Sequence, residues 1–341
     1  MLDFSSDYTR LAHPRLLETL TGARGAQFLP YGTDAVSDAA KAHIRTICHA
    51  PNAGVHFLLG GTQTNQLAID ALLRSFEGVI AADTGHVSAH EAGAIEHGGH
   101  KVLTIPHQRG KLTADTVARY CETFYADGNH THMVFPGMVY LSQPTEYGTL
   151  YSRDELHALR KVCDRFSLRL YVDGARLAYA LGAKENDVSL ADLAAVCDAF
   201  YIGGTKCGAL FGEALVVPDP AITPQLFTVI KQHGALLAKG AALGIQFDAL
   251  FQDGLYLSIG QNAVALASQI RRALTEKGYK QPLVSETNQI FIELSDTRLL
   301  SLQQQVRVSF WEKADDSHTV VRIATDWATT QQDVDALLAL F

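Results

Sequence analysis

A mostly parallel α/β sheet of seven strands, followed by a smaller α+β domain, is the architecture the sequence predicts. Three observations predict it: short apolar runs alternate with helical stretches, those stretches are long enough for right-handed crossovers, and the texture changes after Pro218. The apolar runs are VHFLLGG near 55, GVIAAD near 78, KVLTIP near 101, HMVFPGMVYLS near 132, LRLYVDG near 168, AFYIGG near 199 and ALVVP near 214. Between them, TNQLAIDALLRSF and SRDELHALRKVCDRF repeat apolar residues at three and four, the helical period. Beyond Pro218 come two long helical patterns, ITPQLFTVIKQHGALLAKGAALGIQFDALF and IGQNAVALASQIRRALTEKG. Strand-like NQIFIEL, VRVSFWE and TVVRIAT follow, and TQQDVDALLALF closes the chain as a helix. With no repeat, low-complexity run or flexible linker, the two parts are expected to pack tightly.

At 341 residues, 47% hydrophobic and 19% charged, the chain has ample material for a core. A formal charge of -8 argues against nucleic acid or an acidic membrane as the main partner, since both call for clustered Lys and Arg. The opening MLDFSSDYTR lacks a basic region followed by an apolar run, and the greasiest later stretch is interrupted by Lys239 and Asp248. A cytoplasmic protein without a membrane anchor is expected. Cys48, Cys121, Cys163, Cys197 and Cys207 are odd in number and form no CxxC, which reads as reduced thiols.

In an open parallel sheet, ligands sit beyond the carboxyl ends of the strands. The run near 55 ends in Gly60, Gly61 and Thr62 ahead of a helical stretch, where free N–H groups and the helix dipole attract an anion such as phosphate. A plain Gly-Gly turn with Thr62 as N-cap is the structural counterpart. The run near 168 ends in Asp173, with Arg176 about a turn later. Such an Asp caps a helix or, ionised, faces a protonated ring nitrogen, a pair worth about 4 kcal/mol at ~4 Å with an effective dielectric near ~20. The run near 199 leads to Thr205 and Lys206, set among Gly203, Gly204 and Gly208. A lysine in a confined, partly dry site has its pKa lowered and condenses with an aldehyde. Anion cradle, ring-nitrogen carboxylate and aldehyde-binding amine together are what pyridoxal phosphate requires.

These residues also carry a family resemblance. FSSDYT, YGTD, GGTQTNQLA, DTGHVSAHEAGAIEHGGHKV, SQPTEYGTLYS, VDGARLAYAL and GGTKCGAL resemble the threonine aldolase and β-eliminating lyase family, pyridoxal-phosphate enzymes of the aspartate aminotransferase fold. The resemblance implies a site segment at 1–14, a large cofactor domain at 15–220, a connecting helical region at 221–250 and a small domain at 251–341. It implies that Lys206 carries the cofactor, Asp173 holds the ring nitrogen and His86 lies over the ring as a candidate proton acceptor. Gly60, Gly61, Thr62 and Thr205 would bind phosphate. Ser6, Arg176 and Arg322 would hold the substrate carboxylate, Arg176 bordering the cofactor as well. Tyr31 and Lys231 match positions that reach across a subunit boundary in a homodimer or homotetramer.

One departure stands out. Many threonine aldolases carry a histidine after the strand near 140, where this chain reads SQPTEYG, so the β-hydroxyl proton is left to Glu146 or His86, directly or through a water. The expected reaction is aldol cleavage of an L-β-hydroxy-α-amino acid, of the threonine, allo-threonine or phenylserine type, to glycine and an aldehyde. The alternative is β-elimination from serine- or cysteine-type amino acids, with a transaminase or racemase further off. His86/His90, His97/His100 and His130/His132 have spacings that can ligate zinc, but no Cys or second carboxylate motif completes a set, and no metal is expected.

Overall fold

The computed structural model describes residues 1–341. A two-residue strand β1 (Leu2–Asp3) precedes the large sheet, built from β2 (Gly54–Leu58), β3 (Glu77–Ala82), β4 (Val102–Ile105), β5 (Phe135–Ser142), β6 (Arg169–Asp173), β7 (Ala199–Gly203) and β8 (Glu213–Val217). These coincide with the seven apolar runs. Their order across the sheet is β2-β8-β7-β6-β5-β3-β4. All neighbours are parallel except that β8 runs antiparallel to both β2 and β7.

Side chains alternate between the sheet faces. Val139, Leu141, Leu170, Val172, Phe200 and Ile202 enter the largest apolar cluster on one side. Met138, Tyr140, Tyr171, Ala199 and Tyr201 enter a second cluster with Leu67 and Ala68 of the helix Gly61–Leu72. Both faces are covered, so the central strands read as continuous apolar runs. Local chemistry sets the helix starts: the Ser152 hydroxyl accepts the Glu155 N–H while Glu155 accepts the Ser152 N–H, opening the helix Arg153–Phe166.

Past β8 the long pattern over 222–251 forms two helices, Leu226–Gln232 and Ala241–Phe251. The break follows His233, at Gly234, whose φ of 65° ends the first helix. The small sheet has the order β11-β12-β9, from β9 (Gln289–Ser295), β11 (Ser309–Lys313) and β12 (His318–Ala324), and is antiparallel. Strand β10 (Val306–Arg307) pairs with β1, which ties the N-terminus to this part of the chain. The helix Leu255–Glu276 is shared: Ile259, Ala263 and Val264 pack in the large core, Leu266, Ala267, Ile270 and Leu274 in the small one. No helix is long and apolar enough to cross a membrane.

Two glycines set how closely the β6 and β7 ends approach. A Cβ on Gly174 would stand 1.9 Å from the Tyr201 carbonyl oxygen, and one on Gly203 would stand 2.3 Å from that of Ala175. Both obstacles are backbone, so neither site can relax by turning a side chain. Gly174→Ala is expected to lower the thermal midpoint by several degrees or to abolish soluble expression. Gly128→Ala, where the added methyl meets open space, should melt within about a degree of the parent, as scanning calorimetry would report.

Candidate active site

Because β2, β3, β5, β6 and β7 are parallel, the segments that follow them emerge at one edge of the sheet. They deliver Gly61, His86, Glu146, Asp173 and Lys206 to that edge. Strand β8 runs the other way, so its first residue, Glu213, lies at the same edge, in register with Gly203 and Leu58. A cleft of about 600 Å³ opens there, lined by Tyr8, His86, His90, Glu146, Arg176, Lys206, Ser309, Phe310, Trp311 and Arg322. The small sheet supplies one wall through β11 and β12.

Asp173 is buried at the tip of β6. Its Oδ2 accepts Tyr140 Oη at 2.6 Å and Asn65 Nδ2 at 2.9 Å, and its Oδ1 accepts the Ala175 N–H at 3.0 Å. Burial pushes its pKa up, but the His86 charge and the hydroxyl and amide donors, Tyr201 among them, outweigh this and hold it below the ordinary value. The Asn65 amide also donates to Glu91 Oε1 at 2.7 Å, and its oxygen accepts Tyr171 Oη at 3.0 Å. Glu91 in turn takes His86 Nδ1 at 2.7 Å. Burial would lower the His86 pKa, yet the Glu91 hydrogen bond and the Asp173 charge raise it. His86, Glu91 and Asp173 thus bring ligand atoms within 4.8 Å of one another, and hydrogen bonds through Asn65 account for the grouping.

Lys206 sits in a single 3-10 turn, Thr205–Cys207, between β7 and β8. The turn is held by Gly204 and Thr205 N–H groups on the Gly212 carbonyl at 3.0 and 3.1 Å, and by Tyr179 Oη on the Lys206 carbonyl at 2.5 Å. Burial, then the Arg176 charge, lower the Lys206 pKa against the pull of Asp7, Asp173 and Glu213. Glu213 is buried, accepts the Gly204 N–H at 2.9 Å and is pushed up to about 7 by burial. The neighbouring Cys207 thiol is pushed up to about 12 by burial, an inert thiol; all five cysteines are buried and unbridged.

The helix Gly61–Leu72 starts at Gly60, not at a Thr62 cap, and Thr62 is exposed. The N–H groups of Gly61, Thr62 and Gln63 have no acceptor in the chain. A Cβ on Gly61 would come within 3.0 Å of Tyr201 Oη, which sets this N-terminus beside the Asp173 network. The Thr205 hydroxyl accepts the Gly212 N–H at 3.1 Å.

The expected carboxylate-binding residues differ in their engagement. Arg176 gives Nε and Nη2 to Asp7, at 2.6 and 3.0 Å, so the fork expected to grip substrate already grips a buried aspartate, which also accepts Asn288 Nδ2 at 2.9 Å. Arg322 is the opposite case. It bonds only neutral groups, Gln289 Oε1 at 3.1 Å, the Ser5 carbonyl at 3.3 Å and Ser309 Oγ at 3.4 Å, and its Nε has no partner. Ser6 has a buried hydroxyl without a partner and does not line the cleft. Tyr31 stands away from the cleft, beside a separate cavity of about 250 Å³, with Lys231 Nζ 5.0 Å from its ring centre.

Glu146 receives Ser142 Oγ at 2.7 Å and the His86 N–H at 3.0 Å on one oxygen, and burial raises its pKa. His90, which the sequence reading set aside with the other histidine pairs, lines the cleft with no hydrogen bond to its ring. Asp7, Asn65, Glu91, Glu213 and the tyrosines were not singled out either. A signal for the tyrosines was present, since YLS, YVD and YIG each place Tyr two residues before a strand end.

Burial pushes the Asp7 pKa up, but Arg176 and then Lys206 hold it at about 2, against the ordinary 3.8. A lowered carboxylate pKa contributes stability that is fully present above the unfolded value and is lost as pH falls through the folded one, here on the order of 2 kcal/mol. Asp7→Asn should therefore lose roughly 3–5 kcal/mol at neutral pH by stranding Arg176. Its deficit against the parent should narrow between pH ~4 and ~2 in urea titrations.

The beta-eliminating lyase family model matches residues 3–297. The low specificity L-threonine aldolase of Pseudomonas aeruginosa is 30% identical over 310 residues, 88% of this chain and 86% of that one. Its counterpart from a Pseudomonas species is 29% identical over 308 residues, 89% and 87% of the two chains. Among solved structures, the threonine aldolase of Leishmania major superposes with a TM-score of 0.96 at 38% identity, covering 100% of this chain and 98% of that one. Aspartate aminotransferase of Thermus thermophilus, at a TM-score of 0.73 and 15% identity over 100% and 91% of the chains, shares the fold. From the sheet edge that gathers the cleft residues to the small domain that walls them in, the chain belongs to the beta-eliminating lyase family.

Proposed function

We propose that the chain is a pyridoxal-phosphate-dependent lyase that cleaves L-β-hydroxy-α-amino acids, of the threonine, allo-threonine or phenylserine type, to glycine and an aldehyde. One observation carries the reading. A lysine with lowered pKa and an arginine without a counter-ion line one cleft, and a buried aspartate with lowered pKa ends a strand at the same sheet edge. The relatives named low specificity L-threonine aldolase support the reaction class.

The residues fit the cofactor. Asp173 Oδ1 takes a single backbone donor, which leaves it free to hold a protonated ring nitrogen. The free N–H groups at the start of the helix Gly61–Leu72, with Gly60, Gly61, Thr62 and Thr205, suit its phosphate. Lys206 would carry it covalently. When bound, the cofactor supplies a ring that draws electrons from a bond at the substrate Cα.

The chain's own groups do the rest. Arg322 grips the substrate carboxylate, because a partly buried cation lacking a carboxylate partner gains most from an anionic ligand. Arg176, fixed by Asp7, has only its remaining nitrogen to add. Glu91 keeps the imidazole of His86 oriented and its proton in place beside Asp173. Tyr31 and the exposed Phe227 line the same outer cavity, a surface that suits a homo-oligomer in which Tyr31 and Lys231 serve a neighbouring cleft. The second reading, β-elimination, draws on the family description.

Protein loaded with pyridoxal phosphate should be yellow, and borohydride should bleach it and fix the cofactor to Lys206; Lys206→Ala should lose both properties and activity. L-Threonine or phenylserine should yield glycine and aldehyde in equal amounts. Pyruvate and ammonia from serine or cysteine conjugates, with no aldehyde from either β-hydroxy substrate, would transfer the assignment to β-elimination. Arg322→Lys should raise KM for L-threonine at least about tenfold, a loss of roughly 1.4 kcal/mol, with a smaller change in kcat.

A further inference from the structure

Aldol cleavage needs a base for the β-hydroxyl, and both residues expected to serve already hold hydrogen bonds within the chain. Glu146 already holds two donors on one oxygen. His86 spends Nδ1 on Glu91, and that hydrogen bond and the Asp173 charge raise its pKa against burial, which favours its protonated form. His90 is one helical turn from His86, its ring centre 5.8 Å from that of His86 at 49°. It lines the cleft with Lys206 and Arg322, and neither ring nitrogen has a hydrogen-bond partner in the chain. Burial, then the His86 and Arg322 charges, lower its pKa and favour the neutral, accepting form.

We propose, resting on the aldolase reading, that His90 is a catalytic residue that accepts the β-hydroxyl proton. The O–H bond breaks with its proton passing to the imidazole, and its electron pair becomes the second bond of the aldehyde carbonyl. The Cα–Cβ pair stays with the glycine fragment, whose Cα takes up a proton before release. The electrons balance without an oxidant or reductant.

The titratable groups facing His90 across the cleft are Tyr8, His86, Glu146, Arg176, Lys206 and Arg322. Those that bind cofactor or carboxylate serve any reaction at Cα, whereas a hydroxyl base serves cleavage alone. The test therefore compares cleavage of phenylserine with exchange of the glycine Cα proton in deuterated water, followed by NMR, in the cofactor-loaded parent, His90→Asn and Glu146→Gln.

His90→Asn should lower kcat for cleavage by about 10²-fold or more. It should remove the acidic limb from the cleavage pH profile and leave glycine exchange and the visible cofactor band within about twofold of the parent. Cleavage within about threefold of the parent, a retained acidic limb, or an equal loss of exchange and cleavage would each overturn the assignment. So would a Glu146→Gln variant that alone loses the acidic limb. A parent protein that neither binds the cofactor nor exchanges glycine would instead sink the aldolase reading itself.

Discussion

A negative charge held inside the protein, on Asp173, is the constraint from which the rest of the site follows. A buried carboxylate is tolerated only when its lone pairs are matched by donors or positive charge. The donors come from different elements: the Tyr140 hydroxyl from the adjacent strand, the Asn65 amide from the helix after β2, and the Ala175 N–H from the chain just beyond. Each must be in place for the charge to persist, so the sheet register, the helix position and the β6 turn are coupled through one side chain.

Asn65 extends that coupling. An amide nitrogen has two hydrogens, and here one goes to Asp173 and the other to Glu91, while the oxygen takes the Tyr171 hydroxyl. Two buried acids are thereby held near one another by a common donor, and the His86 imidazole closes the circuit through Glu91. Lys206 lies just outside this circuit. Its amine feels Arg176 more strongly than any of the nearby acids, and Asp7, by pairing with Arg176, limits that effect.

Much of this was legible because parallel strands end on one edge. Gly61, Asp173 and Lys206 follow apolar runs, and once the runs are parallel strands the three residues must meet. Glu213 was not legible by that logic, since it begins a strand, and only the reversal of β8 brings it to the same edge. Asp7 and Arg176 lie far apart in the chain, and their pairing depends on β1 adding to β10, a contact that no local pattern announces. That is why Arg176 was expected to grip a ligand and is found gripping its own chain. His90 was passed over for a related reason: helical spacing places it one turn from His86, but only the approach of β11 and β12 makes that helix face a cleft wall.

The reversal of β8 has a further consequence for the segment that bears Lys206. A crossover helix would have joined β7 to its neighbour through a long, compliant connection; a hairpin does it in a few residues whose amides are cross-linked to Gly212 and Glu213, with Tyr179 and Tyr256 clamping two carbonyls from outside. Backbone entropy there is spent during folding and is not spent again at each turnover. The Lys206 amine is left swinging on four methylenes from a stationary hub, so its reach is a matter of side-chain rotation alone.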